Sequence, residues 1–437
     1  MPECFADGFA DDSIEVQILN ADKSSIFMDS IWEVPTIMNS FHFEGYIKFK
    51  NVPACGYRSV IIKPAKIEEK ASIPSSNTME NEFLKVTVNA NGTVNVLNKQ
   101  TGKNYKNLNY LSSQGEIGNA WKHQEPENDR MFTSLNADAL IEVVENGKLC
   151  TTYRVTYSFE VPKDCIETQS DEMVSIPVTV YYSLKQGSKN LDVKVDLVNN
   201  AYDHWLRANF PTGIKADYTY SDSHFDIVRR DIKVPDSTGW VEKAYGMQPL
   251  RTFAAIEDET DGFALMPHGL YEYEAFEDTR MALTLIRGCR IKQAVSEEKI
   301  TVLDDKGILC LGERSFEYSL SFYDCEISEL CNKAAEVYAP ALCAFAGRGN
   351  GKLAMENSLL SVDNQNVHIS AIKPADDNKG IIIRIFNPTD STRRVGLNFG
   401  IKVKKLYKTT MNEEIKEEIT PDFEVEHHKI VTLYLEV

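Results

Sequence analysis

The chain has 437 residues, 43% hydrophobic and 26% charged, and its 47 basic and 65 acidic side chains give a net charge of −18. That length is too great for one small core and fits two or three domains of an ordinary globular protein. So acidic a surface repels nucleic acid and anionic membranes, which leaves neutral small molecules or other proteins as the expected partners.

The opening "MPECFADGFADD" has neither a cationic start nor an apolar core, so it is not read as a signal peptide. No apolar run approaches the roughly 20 residues that a membrane helix needs. Nine cysteines are scattered from Cys4 to Cys343 without a CxxC pair. That usage suits a reducing cytoplasm and argues against disulfides or a structural zinc site.

Residues 1–66 read as a small N-terminal β unit, closed by the polar, proline- and serine-bearing stretch at 63–81. Period-two alternation then dominates. Tyr153, Val155, Tyr157, Phe159 and Val161 share one face, as do Val174, Ile176, Val178, Val180, Tyr182 and Leu184, and then Leu191, Val193, Val195 and Leu197. One apolar and one polar face is the signature of a half-buried antiparallel strand. Turns fall at Asn91-Gly92, Gly102 and Gly187, and the Asn91-Gly92-Thr93 sequon is read as a turn.

One helix is expected in "SELCNKAAEVYAPAL", with Leu330, Ala334, Val337 and Tyr338 on one face and Pro340 as its stop. A glycine-rich segment at 344–352 precedes a last β unit. The expected organisation is all-β: a small unit at 1–66, a large antiparallel double sandwich at 76–345, and a small sandwich at 352–437. The middle unit must be enlarged or doubled, since one sandwich is typically about 100 residues.

The most chemically loaded stretch is "GNAWKHQEPENDRMFTS", residues 118–134. Sugar recognition wants an aromatic face for the ring and carboxylates, amides or guanidinium groups for the hydroxyls. Trp121, His123, Glu125, Asn128, Asp129 and Arg130 supply that set. The plainer alternative is a loop pinned by an Arg130–carboxylate pair, with Trp121 packed in the sandwich. Arg207 and Arg230, near His204 and Arg229, could reach substrate hydroxyls or form strand ion pairs.

A retaining glycosidase needs two carboxyl groups about 5–5.5 Å apart, but among 65 acidic residues no pair stands out. Glu125 and Glu127, or Glu272 and Glu274, would point to alternate faces. No catalytic residue is assigned. The eight histidines show no HxH or HxxxH spacing, and His427-His428 would face opposite sides of a strand, so no metal site is expected in this chain. Nucleophile-elbow and phosphate-loop motifs are missing.

Several segments in order resemble the β-rich part of family 38 glycoside hydrolases, the α-mannosidases. They are "FKNVPACGYRSVIIKP", "MENEFLKVTVNANGTVNVLNKQTGKNY", "GNAWKHQEPEND", "LRANFPTGI", "GWVEKAYGMQPLRTFAAIED", "GFALMPHGLYEYEA", "MALTLIRGC", "LGERSFEYSL" and "ISAIKPADDNKGIIIRIFNPT". The resemblance runs from about residue 40 to 437. It implies a large domain like the supersandwich of galactose mutarotases, flanked by two small β-sandwich units. In the family, zinc and the aspartate nucleophile sit in an N-terminal catalytic domain, of which nothing is recognisable here. The resemblance therefore implies a non-catalytic C-terminal portion that carries no cofactor of its own. It would support the catalytic cleft, with the 118–134 loop facing the catalytic domain and contributing to mannoside binding. No mannosidase activity is expected of the chain alone.

The expected partner is a mannose-containing saccharide or the missing catalytic domain. The alternative is a free-standing carbohydrate-binding protein or a subunit that pairs with a separate catalytic chain. A third reading, an aldose-epimerase-like enzyme, requires a His and a Glu converging on a concave face of the large domain.

Overall fold

The computed structural model describes residues 4–7, 14–29, 32, 34–64, 76–119, 123–290, 292–296, 299–302, 306–344 and 351–437. The large middle region is an antiparallel sandwich. Its broad layer is a nine-stranded sheet that starts with Leu140–Asn146, Cys150–Pro162, Met173–Lys185 and Asn190–Asn199. The sheet continues through Gly312–Tyr323 and Gly262–His268 to an edge at Asp226–Asp231. A four-stranded sheet (Thr78 to Leu108) and a six-stranded sheet lie across the core from it.

One cluster of buried side chains joins the three sheets. Val86 and Val96 come from the four-stranded sheet, Leu206 and Leu283 from the six-stranded one, and Val155, Val180, Val195 and Leu320 from the nine-stranded one. The alternation read from the sequence places these faces: Tyr153, Val155, Tyr157, Phe159 and Val161 are all buried, as are Ile176 through Leu184 in steps of two. Pro177 fits inside a long strand because it pairs with Ser158 on one side, while pairing on the other side begins only at Val178. At the turn after Lys185, Gly187 adopts φ 75°, a conformation only glycine takes without strain.

Asn109 knits the two smaller sheets to the large one. Its backbone N–H donates to the Asn209 carbonyl (2.8 Å). Its side-chain amide donates to the Tyr182 hydroxyl (2.9 Å), and the Tyr318 hydroxyl donates back to its carbonyl oxygen. Buried polar atoms are costly unless paired, so this three-residue network fixes how the layers register.

The helix α1 spans Leu330–Tyr338 after a 3-10 turn at Ile327–Glu329. Leu330 and Ala334 pack on Phe253, Ala255, Ala264 and Met266, on the outer side of the nine-stranded sheet. Val337 joins this contact, but Tyr338 is 43% exposed. Eight positions carry Tyr338 roughly 80° round the helix from Leu330, off the buried stripe.

The last region is a second sandwich of three- and five-stranded sheets around Leu360, Ile383, Val395 and Leu433. The N-terminal region has no buried apolar cluster of its own among the described residues. Its long hairpin, Ile14–Met28 with Thr36–Phe49, leans on the nine-stranded sheet through Gln17. The Gln17 side chain accepts from the Leu149 and Cys150 N–H groups (2.7 and 3.0 Å) and donates to the Cys150 carbonyl (3.2 Å). Gly56–Arg58 then pairs with Glu356–Ser358, at the far end of the sequence. The expected linkers at 63–81 and 344–352 lie partly outside the described residues.

Candidate functional site

The six-stranded sheet runs Phe132–Thr133, Tyr110–Gly115, His204–Pro211, Arg280–Gly288, Glu272–Ala275, Met247–Pro249. Leu111, Leu206, Ala208, Phe210, Leu283 and Tyr273 point into the core. The alternate positions put Gln114, Arg207, Asn209, Thr284, Glu272 and Glu274 on the other face. A bulge between Leu206 and Arg207 sets Arg207 opposite Thr284.

Arg207 is the hub of this face and only 3% exposed. Its guanidinium donates to Glu274 (2.6 Å) and to the Gln114 carbonyl oxygen, and lies 3.9 Å over the Trp205 ring. Gln114 in turn donates to Asp129 (3.0 Å), whose other oxygen accepts the Gly115 N–H (2.9 Å). Trp205 donates to Thr284 (3.0 Å), and Thr284 donates to Glu272 (2.7 Å). Arg280 donates to Asn209 (2.6 Å) and stacks 3.6 Å over Phe276. Burial holds the Glu274 carboxyl above its ordinary value even with Arg207 beside it, and burial likewise lowers Arg207 against the pull of Glu274.

The loop after Gly115 is tied down by a second buried cluster. Glu116 is fully buried and meets His123 Nδ1 at 2.6 Å. It also accepts the Gly118 and Gln124 N–H groups (2.7 and 3.2 Å) and lies 3.4 Å from Arg287. Burial works to raise the Glu116 carboxyl, but His123 and the two backbone donors outweigh it and hold it low. The His123 ring packs on Trp205, 4.5 Å between centroids. Nearby, burial pushes His204 down to about 4, so it is a neutral imidazole bonded to Ser113 (3.1 Å).

The residues singled out in the sequence thus separate. Asp129 and Arg207 are joined through Gln114. His123 lies buried beside Trp205. Asn128 is exposed at φ 56°. Arg130 is exposed and reaches Ser170 (3.1 Å) and Asp171 (3.5 Å), the arrangement of the pinned-loop alternative. Arg230 lies in the nine-stranded sheet, bonded to Ser221. Trp121 lies outside the described residues. Glu272 and Glu274 share one face rather than alternating, because side chains two apart on a strand point the same way. His427-His428 form a turn, not a strand, and His428 bridges Asp226 and Asp390, each at 2.9 Å.

Nothing in the sequence marks Gln114, Glu116 or Trp205 as a site residue, and Glu274 stands out there only as one of many carboxylates. Alternation places Gln114, Trp205 and Glu274 on strands, with Glu116 just past the end of one, but does not say which partner faces each. Glu116 and His123 do bring a His and a Glu together on this sheet. Both are buried and bonded to each other, so this pair does not face solvent. Among the described residues no group of three or more His, Cys, Asp or Glu is placed to hold a metal ion. Cys55, Cys150, Cys310, Cys325, Cys331 and Cys343 are free thiols, and no described helix is long and apolar enough to cross a membrane.

The described chain is built of antiparallel sandwiches with one wired polar sheet face. Two family models match it, the "Glycosyl hydrolases family 38 C-terminal domain" over residues 79–294 and the "Glycosyl hydrolases family 38 C-terminal beta sandwich domain" over 366–433. The chain belongs to glycoside hydrolase family 38, in its C-terminal part. It is 27% identical over 396 residues to a protein of Halalkalibacterium halodurans named "Putative mannosylglycerate hydrolase", covering 83% of this chain and 42% of that one. It shares its fold with an alpha-mannosidase from Enterococcus faecalis V583 (TM-score 0.85, 22% identity, 100% of this chain and 51% of that one). A second family 38 structure from E. faecalis gives a TM-score of 0.83 at 22% identity, covering 100% of this chain and 53% of the other. The chain thus spans about half the length of the relatives it matches.

Proposed function

We propose that this chain is the non-catalytic β portion of an α-mannosidase-like family 38 hydrolase, and that its six-stranded sheet and the 116–131 loop border the mannoside cleft. The supporting observation is the desolvated chain of bonds from Asp129 through Gln114 and Arg207 to Glu274. Such a network holds the loop above it in one geometry, as a cleft wall requires. Asn128 and Glu125 are exposed on that loop, where sugar hydroxyls or a catalytic domain would meet them, with Arg130 held beside them by Ser170 and Asp171. Arg207 and His123 act from beneath by fixing Trp205 and the loop, and Arg230 stands at the sheet edge. No zinc or other cofactor is assigned to these residues. The test is an aryl α-mannoside assay of the chain alone and after mixing with a family 38 catalytic half. Activity should appear only in the mixture. Hydrolysis by the chain alone, abolished by a chelator, would falsify the reading.

A second reading, a subunit that docks on a separately encoded catalytic chain, is favoured by the tip of the long hairpin. Phe27 and Ile37 are cross-strand neighbours 62% and 68% exposed, with Trp32 (87%) and Val34 (84%) close by in sequence. Clustered exposed apolar groups of this kind mark interaction sites.

A further inference from the structure

On the far side of the core, the outer face of the nine-stranded sheet carries a trough of ≈ 630 Å³. Its floor is three adjacent strands, Met173–Lys185, Asn190–Asn199 and Gly312–Tyr323. One wall is helix α1, through Lys333, Glu336 and Val337. The other is the long N-terminal hairpin, through Tyr46. Tyr46 donates to Glu145 (2.9 Å), and Lys48 on the same strand donates to Gln186 (3.2 Å). Together with Gln17, these bonds fix the hairpin on the sheet, so the wall is built in.

The trough exists because its floor is made of small side chains. Ser183, Asp192 and Ser319 are register partners across the three strands, and Asn190 pairs with Ser321. Strand positions facing away from the core often hold long side chains; the short serines here leave a depression, with Ser319 and Ser321 nearly buried at its bottom. The next row reads Tyr181, Lys194, Glu317 and His268 across four strands. An aromatic ring thus stands at each end of a row about 14 Å wide.

Three of the four lysines lining the trough are paired with carboxylates. Lys185 pairs with Asp192 (2.8 Å), Lys189 with Asp324 (2.6 Å) and Lys194 with Asp196 (3.2 Å). Lys333 faces the Cys325 sulfur at 3.1 Å, with Glu336 on the same wall. Balanced pairs create no net field to draw an anion, and the chain's −18 charge opposes one. What they offer is a dense array of fixed donors and acceptors. Hydroxyls, paired charges and flanking aromatic rings are the complement of a neutral polyol whose rings have apolar faces.

We propose that this trough is a second, non-catalytic binding groove for a neutral oligosaccharide chain. It lies across the core from the six-stranded sheet and does not depend on the reading of that sheet. The test is calorimetry of the whole chain with mannotriose, cellotriose and maltotriose in parallel, with inositol hexakisphosphate as an anionic counter-probe. At least one trisaccharide should bind saturably in the millimolar range. Ser183→Arg, which fills the floor from the solvent side, and Tyr181→Ala, which removes an end ring, should each weaken that binding about tenfold or more. Lys405→Ala, an exposed position of the last sandwich outside both sites, should leave it unchanged. The proposal is overturned if no trisaccharide binds, if the anion binds more tightly, or if binding survives both trough variants. Loss of binding in Asn128→Ala alone overturns it as well and would assign the sugar to the loop.

Discussion

The two outer faces of the large sandwich are both polar, yet they use polarity in opposite ways. On the six-stranded sheet, Arg207 and Glu274 meet with 4% and 15% side-chain exposure, so their pairing is desolvated. On the nine-stranded sheet, Lys194 and Asp196 meet with 43% and 36% exposure and remain in water. The first face is a structural lock under a loop. The second leaves its ion pairs open to solvent. Polarity alone does not mark a binding face; the degree of desolvation decides which contacts are already committed.

Removing one member of the buried pair should break that contrast most sharply. Arg207→Ala leaves Glu274 and Gln114 without their partner in a dry site, and denaturant unfolding of the large sandwich should show a loss of about 3–5 kcal/mol. Retention of wild-type stability would mean that water already reaches this face. Next in size, Glu116→Gln removes a charged acceptor from the His123 and Arg287 cluster and should cost about 1.5–3 kcal/mol. Because the folded state holds the Glu116 carboxyl below 4.5, its contribution is present above that value and is lost as pH falls through the lowered folded value. The acid limb of a stability-against-pH curve should therefore be shallower in Glu116→Gln than in the wild type.

The open face should be far more forgiving. Lys194→Ala breaks a solvated pair and a distant contact with the Tyr181 ring (5.7 Å) and should change stability by less than about 1 kcal/mol, so a thermal melt close to wild type is the expected outcome. The smallest effect is expected at the junction of the two sandwiches, where Asp226 and Asp390 raise His428 above 6.5. A raised histidine stabilises in its protonated state, so the contact is present below 6.5 and is lost as pH rises through the folded value. Hydrogen-exchange protection around Asp226 and Asp390, corrected for the base-catalysed intrinsic rate, should fall over that rise in the wild type and not in His428→Gln.

Much of the fold was legible in the residues themselves. The alternation from Tyr153 to Leu197 places every inward side chain of three long strands, and Leu330 with Ala334 places the helix. The site was legible only in part. Arg207, Asp129 and His123 stood out as chemically capable, but their partners did not. Gln114 lies 93 residues from Arg207, and Glu274 lies 67 from it. No local pattern links them, and the bulge before Arg207 shifts the pairing that aims it. His123 looked like a sugar-facing imidazole until Glu116, seven residues earlier, drew it beneath the loop.

The sequence by itself determined that this protein is an all-β family 38 chain, because hydrophobic periodicity and ordered motifs are local and survive in one dimension. Which polar side chains are sealed and which are open was decided only by the tertiary structure. Desolvation is a property of neighbours, and register brings those neighbours from distant strands. The same reason explains the trough: serines at 183, 319 and 321 are unremarkable in sequence, and become a floor only when three strands align them between a helix and a hairpin.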